Sequence, residues 1–140
     1  MSEIKLQSDI AREFSVRYPK LKGQFFHVSN ERNNKVQAFQ AKSIGIINGV
    51  SDFIYFDKNH LGLKMIGLEV KEPNSYHKVD HIIQQIKWGN VLERCGGLYF
   101  IVRSVQEAIE VIEGHYLNAL CIEEIEKMLS ENGSKKTIKF

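Results

Sequence analysis

The stretch from Gly49 to Pro73, GVSDFIYFDKNHLGLKMIGLEVKEP, has the fewest ways to fold of any part of this chain. Its runs SDFIYF and LKMIGLEVK are rich in β-branched and aromatic residues, and DKNHLG between them is turn chemistry, so the segment predicts a β-hairpin. Closing the hairpin between His60 and Leu61 sets Asp57 opposite Lys64 and, at the open end, Asp52 opposite Glu69. Side chains alternate along a strand, so Glu69 and Lys71 share one face while Leu68 and Val70 take the other. Two carboxylates facing each other repel, and nothing in a hairpin requires them. A divalent cation removes the objection: Mg²⁺ takes hard oxygen ligands, commonly one or two carboxylates with waters and a substrate phosphate, at about 2.0–2.1 Å. A backbone carbonyl near Val70 would add a ligand. Lys71 would stand beside the ion, where an ammonium orients or deprotonates a water and offsets charge on a phosphoryl transition state. The same spacing also arises on ordinary solvated strands, so the rest of the chain has to supply the context.

Upstream, SEIKLQSDIAREFSVRYP predicts a helix. Ile4, Leu6, Ile10, Phe14 and Val16 lie near one face, Ser2 is placed as N-cap, Glu3 sits in the first turn, and Pro19 ends it. GQFFHVSN reads as a strand, and NERNNKVQAFQAKSIGIING as a polar loop running into a short helix with Val36, Ala38 and Phe39 on its apolar side. Downstream of Pro73, KVDHIIQQIKWGNVLERC carries Val79, Ile82, Ile83, Ile86, Leu92 and Cys95 at helical spacing, closed by Gly96 and Gly97. LYFIVR is then an almost wholly apolar strand of the kind buried on both faces.

SVQEAIEVIEGHYLNALCIEEIEKML predicts one or two amphipathic helices, with Ser104 and Glu107 at capping-box spacing. The order is that of an α/β (α+β) domain: a helix, then a mixed central sheet flanked by helices, with the last strand central. We expect one domain over residues 1–140, with its core at about 1–105, C-terminal helices over 104–130 and a flexible tail at 131–140.

No segment approaches the roughly 18 apolar residues of a membrane helix, and the first residues lack a signal peptide's pattern. The expectation is a soluble, cytoplasmic protein. Cys95 and Cys121 have no metal-ligand spacing and are read as reduced, semi-buried thiols. Net charge is only +2, yet residues 1–48 hold eight Lys or Arg against four acids, whereas residues 103–140 hold five against seven. Lys20, Lys22, Arg32, Lys35 and Lys42 thus read either as phosphate contacts beside the cleft or as an ordinary basic surface.

His27 is read as a hydrogen-bonded core histidine, and Trp88 as packing a helix on the sheet with base stacking as the alternative. His77 and His81 form an i, i+4 pair on a solvated helix face. No phosphate loop, nucleophile triad or zinc-finger spacing is present.

Several of these segments, taken in order, resemble the PD-(D/E)XK nuclease superfamily, and within it the small stand-alone VRR-NUC type of phages and bacteria. The resemblance rests on NGVSD for G-V-P-D, LEVK for E-x-K, QIKW followed by LERCGG for Q-x-x-W and its closing glycine, then LYFIVRS. SNE after the first strand and AKSIGIINGV before Asp52 are similar as well. It implies a restriction-endonuclease-like core and a Mg²⁺-dependent DNA endonuclease, with Mn²⁺ as a substitute. Asp52 and Glu69 would ligate the metal with the Val70 carbonyl, Lys71 would be the catalytic lysine, and Gln85 would touch the nucleophilic water or the phosphate.

It further implies a first-helix glutamate at the metal; Glu3 fits that place best, with Glu13 the competitor. Asn30 and Glu31 occupy the place of a polar pair to which no role is assigned, and Ser51 departs from the usual proline. Branched DNA, such as junctions or flaps, and a homodimer are the implied partners. The alternative is a catalytically silent module that keeps the fold and binds nucleic acid or a protein partner.

Overall fold

The computed structural model describes residues 2–29, 35–59 and 62–140. Along them run α1 (Glu3–Arg17), β1 (Phe25–His27), α2 (Lys35–Ser43), β2 (Phe53–Asn59), β3 (Gly62–Val70) and β4 (Tyr76–Lys78). There follow α3 (Val79–Arg94), β5 (Leu98–Val102), α4 (Val105–Ile112), β6 (Leu120–Cys121), α5 (Ile122–Glu131) and β7 (Thr137–Lys139). The main sheet has the order β1-β2-β3-β5-β6, and β4 pairs with β7 in a separate two-stranded ribbon. Only the β3–β5 pairing is parallel within that mixed sheet; β1–β2, β2–β3 and β5–β6 are antiparallel.

Alternation along the strands divides the interior into two layers. On one face Phe53, Tyr55, Ile66, Leu68, Val70, Phe100 and Val102 pack against Leu6, Ile10 and Phe14 of α1 and against α4. On the other, Tyr99 and Ile101 pack against Ile82, Ile86 and Leu92 of α3 and against Ile122 and Ile125 of α5. β5 is therefore buried from both sides, which is why its sequence is apolar at almost every position. Stacked rings at 4.6 Å, Phe14 on Phe25 and Phe25 on Phe53, lock α1 to the first two strands and fix where its N-terminus falls.

The hairpin has the expected register: Phe53 pairs with Leu68 and Asp57 with Lys64. Its turn residues His60 and Leu61 lie outside the described residues. Ser2 caps α1, its Oγ accepting from the Lys5 N–H at 3.1 Å. Ile4 and Val16, expected on the buried stripe, are exposed, because the contact with the sheet takes only the i, i+4, i+8 row of Leu6, Ile10 and Phe14. Ile83 is likewise 40 % exposed on α3, and Val36 and Phe39 of α2 stand in solvent, since α2 joins neither core layer.

The tail departs most from expectation. Residues 137–139 form β7 against β4 instead of trailing free, and Ile138 and Phe140 are buried beneath α3 and α5. Backbone bonds extend the zipper: Asn74 N–H to the Phe140 carbonyl at 2.7 Å, Phe140 N–H to Ser75 at 3.1 Å, and Val79 N–H to Lys136 at 2.9 Å. The last of these satisfies a first-turn donor of α3, which has no side-chain cap. Two apolar residues spaced by two, in a run this short, are too little pattern to read from sequence.

Replacing Phe140 by Ala should therefore destabilise the protein by roughly 3 kcal/mol, read as a lowered urea midpoint. A midpoint unchanged from wild type would mean that the tail contributes nothing to the core.

Candidate functional site

The open end of the β2–β3 hairpin is built from three directions. The loop before β2 presses on α3: Gly49 has φ +89°, and a Cβ there would stand 2.8 Å from the Gln84 carbonyl oxygen, so only glycine fits. Ser51 follows, fully buried, its hydroxyl donating to the Phe53 carbonyl at 2.9 Å. Asp52 is then tied at both ends. Its carbonyl accepts from the Val28 N–H at 2.8 Å, and its Oδ2 accepts from the Val70 N–H at 2.8 Å. The neighbouring Lys71 N–H points the other way, to the Val102 carbonyl at 3.0 Å. By strand alternation the Val70 carbonyl thus leaves β3 on the Asp52 side.

Glu69 and Lys71 lie on the α3 side of the sheet, 3 % and 4 % exposed. Glu69 Oε1 accepts from Lys71 Nζ at 3.3 Å and from Gln85 Nε2 at 2.9 Å, while Oε2 meets no donor among the described residues. Burial pushes the Glu69 carboxyl well above the usual carboxylate range, and the charge of the adjacent Asp52 pushes it further. Lys71 opposes that rise without cancelling it. A buried carboxylate oxygen with no partner, next to a second carboxylate, is a place for positive charge.

Glu3 approaches from the first turn of α1. Its carboxyl is also raised, by burial first, with Asp52 and Glu72 adding to the shift and Lys71 acting against it. Glu13 is elsewhere, held by Arg17 Nε at 2.6 Å. Among the described residues no three His, Cys, Asp or Glu side chains converge as a ready-made metal cage, so Glu3 flanks Asp52 and Glu69 without completing a third-ligand set. Two carboxylates still fit a hard cation such as Mg²⁺, which commonly keeps several waters and a substrate phosphate as its other ligands.

The remaining sequence candidates scatter. Lys20 and Lys22 follow the C-terminal end of α1, and the fifteen residues of that helix, about 20 Å at 1.5 Å each, separate them from Glu3; they do not flank the carboxylates. Lys35 and Lys42 are exposed at the two ends of α2, whereas Arg32, Asn30 and Glu31 lie outside the described residues. His27 is exposed on the edge strand instead of core, its Nε2 3.0 Å from Gln7 Oε1. His77 belongs to β4, not to the helix, and contacts Ser75 Oγ at 2.6 Å, so it forms no helical pair with His81. Trp88 packs edge-on to Tyr99 at 6.3 Å. Cys95 is exposed and Cys121 half-buried, both free.

Sequence reasoning passed over Tyr99, whose hydroxyl is buried with no hydrogen-bond partner among the described residues and whose phenol is raised by burial and by the charges of Glu69 and Asp52. The available signal was a lone hydroxyl in an otherwise apolar strand.

Neither protein-family models nor curated proteins match the chain. Among solved structures, the Holliday junction resolvase Hjc of Archaeoglobus fulgidus aligns with 84 % of this chain and 98 % of its own, at 16 % identity and a TM-score of 0.40. Among the described residues, no helix is long and apolar enough to cross a membrane.

The raised Glu69 carboxyl carries a stability signature. Below its ordinary value of 4.5 both folded and unfolded chains hold the proton. As pH rises past that value the unfolded chain releases it first, so Glu69 costs increasing stability until the folded carboxyl ionises too. In metal-free protein, wild-type stability relative to Glu69→Gln should accordingly fall with pH from 4.5 upward. Urea midpoints across that range check this, and a constant difference would mean that Glu69 ionises as it does in the unfolded chain.

Proposed function

We infer that this protein is a divalent-metal-dependent nuclease that hydrolyses phosphodiester bonds in DNA. The observation that carries the reading is Glu69 Oε2, buried and without a hydrogen-bond partner among the described residues, in a carboxyl that neighbours Asp52 and the buried Lys71. A site for structure alone has no reason to desolvate a carboxylate and an ammonium beside a second, half-buried carboxylate, because such burial costs more than apolar packing of the same volume. Asp52, Glu69 and the Val70 carbonyl would hold the ion, Mg²⁺ or Mn²⁺ in its place. Once bound, such an ion activates water and withdraws charge from a phosphate oxygen.

The chain's own groups do the rest. Gln85 Nε2 and Lys71 Nζ both donate to Oε1 of Glu69, which leaves its second oxygen for a cation. The buried Lys71 ammonium is fixed beside Glu69, where it would offset the charge that builds on the phosphate during attack. Gln85 reaches the same carboxylate from α3 and would touch the attacking water or the phosphate. Glu3 closes the site from α1 and adds negative potential that favours a cation. Ser51, in place of proline, is buried and hydrogen-bonded, so the backbone before Asp52 keeps its shape without the ring.

The finer reading is a restriction-endonuclease-like enzyme of VRR-NUC type, acting as a homodimer on branched DNA, junctions or flaps. Its support is the ordered set of motifs NGVSD, LEVK and QIKW, together with the absence of any base-reading element in them. Two copies would present two sites to opposite strands. Lys20, Lys22, Lys35 and Lys42, with Arg32, serve in this reading as outlying phosphate contacts.

Labelled four-way junction, flap and plain duplex, each with Mg²⁺, Mn²⁺ or chelator, test the proposal. We expect metal-dependent cutting with preference for branched substrates, abolished in Asp52→Ala and reduced at least about 100-fold in Lys71→Ala. Cutting that survives both substitutions would remove the site from consideration, and binding without cutting by wild type would leave a silent DNA-binding module.

A further inference from the structure

Beneath α3, three buried polar atoms find no hydrogen-bond partner among the described residues: Glu69 Oε2, Gln85 Oε1 and the Tyr99 hydroxyl. They share one neighbourhood. Gln85 already donates to Glu69 at 2.9 Å. Tyr99 pairs with Gly67 in the parallel ladder, so its side chain leaves the sheet on the face that carries Glu69, two residues along β3. The ring lies against Gly89, one helical turn after Gln85; a Cβ on Gly89 would stand 2.8 Å from it. The charges of Glu69 and Asp52 both reach the phenol. The unmet needs are complementary, since a phenol donates while an amide carbonyl and a carboxylate oxygen accept.

We propose that Tyr99 is a positioning residue for the carboxylate site: its buried hydroxyl donates toward Gln85 Oε1 through one internal water, and so sets which way round the Gln85 amide lies. With Oε1 engaged by the phenol, Nε2 is turned to Glu69. The flipped amide would put two acceptors face to face at Glu69. Held by two donors at Oε1, Glu69 keeps Oε2 for a cation. The glycine at position 89 belongs to the same device, because any side chain there would displace the ring. The role rests on reading Asp52 and Glu69 as a cation site.

Tyr99→Phe removes one oxygen and leaves the buried ring, which makes it the informative variant. Mn²⁺ is titrated into wild type, Tyr99→Phe and Asp52→Ala by calorimetry and by the fluorescence of Trp88, the chain's single tryptophan. The Gln85 side-chain amide is followed by NMR in the metal-free wild type and Tyr99→Phe proteins. We expect Tyr99→Phe to bind Mn²⁺ about tenfold or more weakly, with its Gln85 NH₂ signals shifted and exchanging faster while the backbone spectrum elsewhere is kept. Unchanged affinity and unchanged Gln85 signals, accompanied by a higher Tm, would overturn the proposal alone, since that is how an idle buried hydroxyl behaves when deleted. No Mn²⁺ binding by wild type would overturn the cation site and this role with it.

Discussion

Glu69 is a carboxylate placed where solvent cannot reach it, one strand from a second carboxylate, and much of the surrounding structure answers to that. Desolvation and the field of Asp52 both press it toward the neutral form. The protein meets this with two donors on one oxygen, Lys71 from just past the same strand and Gln85 from α3, and the other oxygen has no hydrogen-bond partner among the described residues. An interior that wanted only stability would have filled the same volume with apolar side chains. The arrangement makes sense as a site whose energy balance closes when a cation arrives.

Holding that balance requires α3 to stay seated. It packs on the sheet through Ile82, Ile86 and Leu92, and its first turn has no side-chain cap. The C-terminal strand supports that end: it zips onto residues 74–79, satisfies the Val79 N–H and buries Phe140 against His77. The last residues of the chain therefore brace the link between Lys71 and Gln85, although they contribute no group to the site. On the opposite layer, the Phe14, Phe25 and Phe53 stack does the corresponding service for α1 and for Glu3 at its first turn. The site thus stands at the end of the central strand β3, with Glu69 on the α3 side of the sheet and Glu3 coming from α1.

Much of this was legible in the sequence because the relevant forces are local. Alternation in SDFIYF and LKMIGLEVK, and a two-sided apolar run in LYFIVR, dictate strands whatever else happens, so the hairpin register and the meeting of Asp52 with Glu69 follow. Helix periodicity placed α1 and α3 within a residue or two of their ends. Where expectation and structure part, the deciding contact is remote. His27 is set at an edge that no local pattern marks, His77 is drawn into β4 by a strand sixty residues later, and that strand carries too few residues to announce itself.

The sequence by itself determined that Asp52, Glu69 and Lys71 must meet, because hairpin pairing and strand alternation are short-range and leave their side chains no other arrangement. Only the tertiary structure decided how buried they are, which glutamate of α1 faces them, and that Gln85 and Tyr99 lie over the same carboxylate. Those outcomes depend on how helices seat on the two faces of the sheet. That seating is set by the packing of many side chains distant in sequence, and no single segment encodes it.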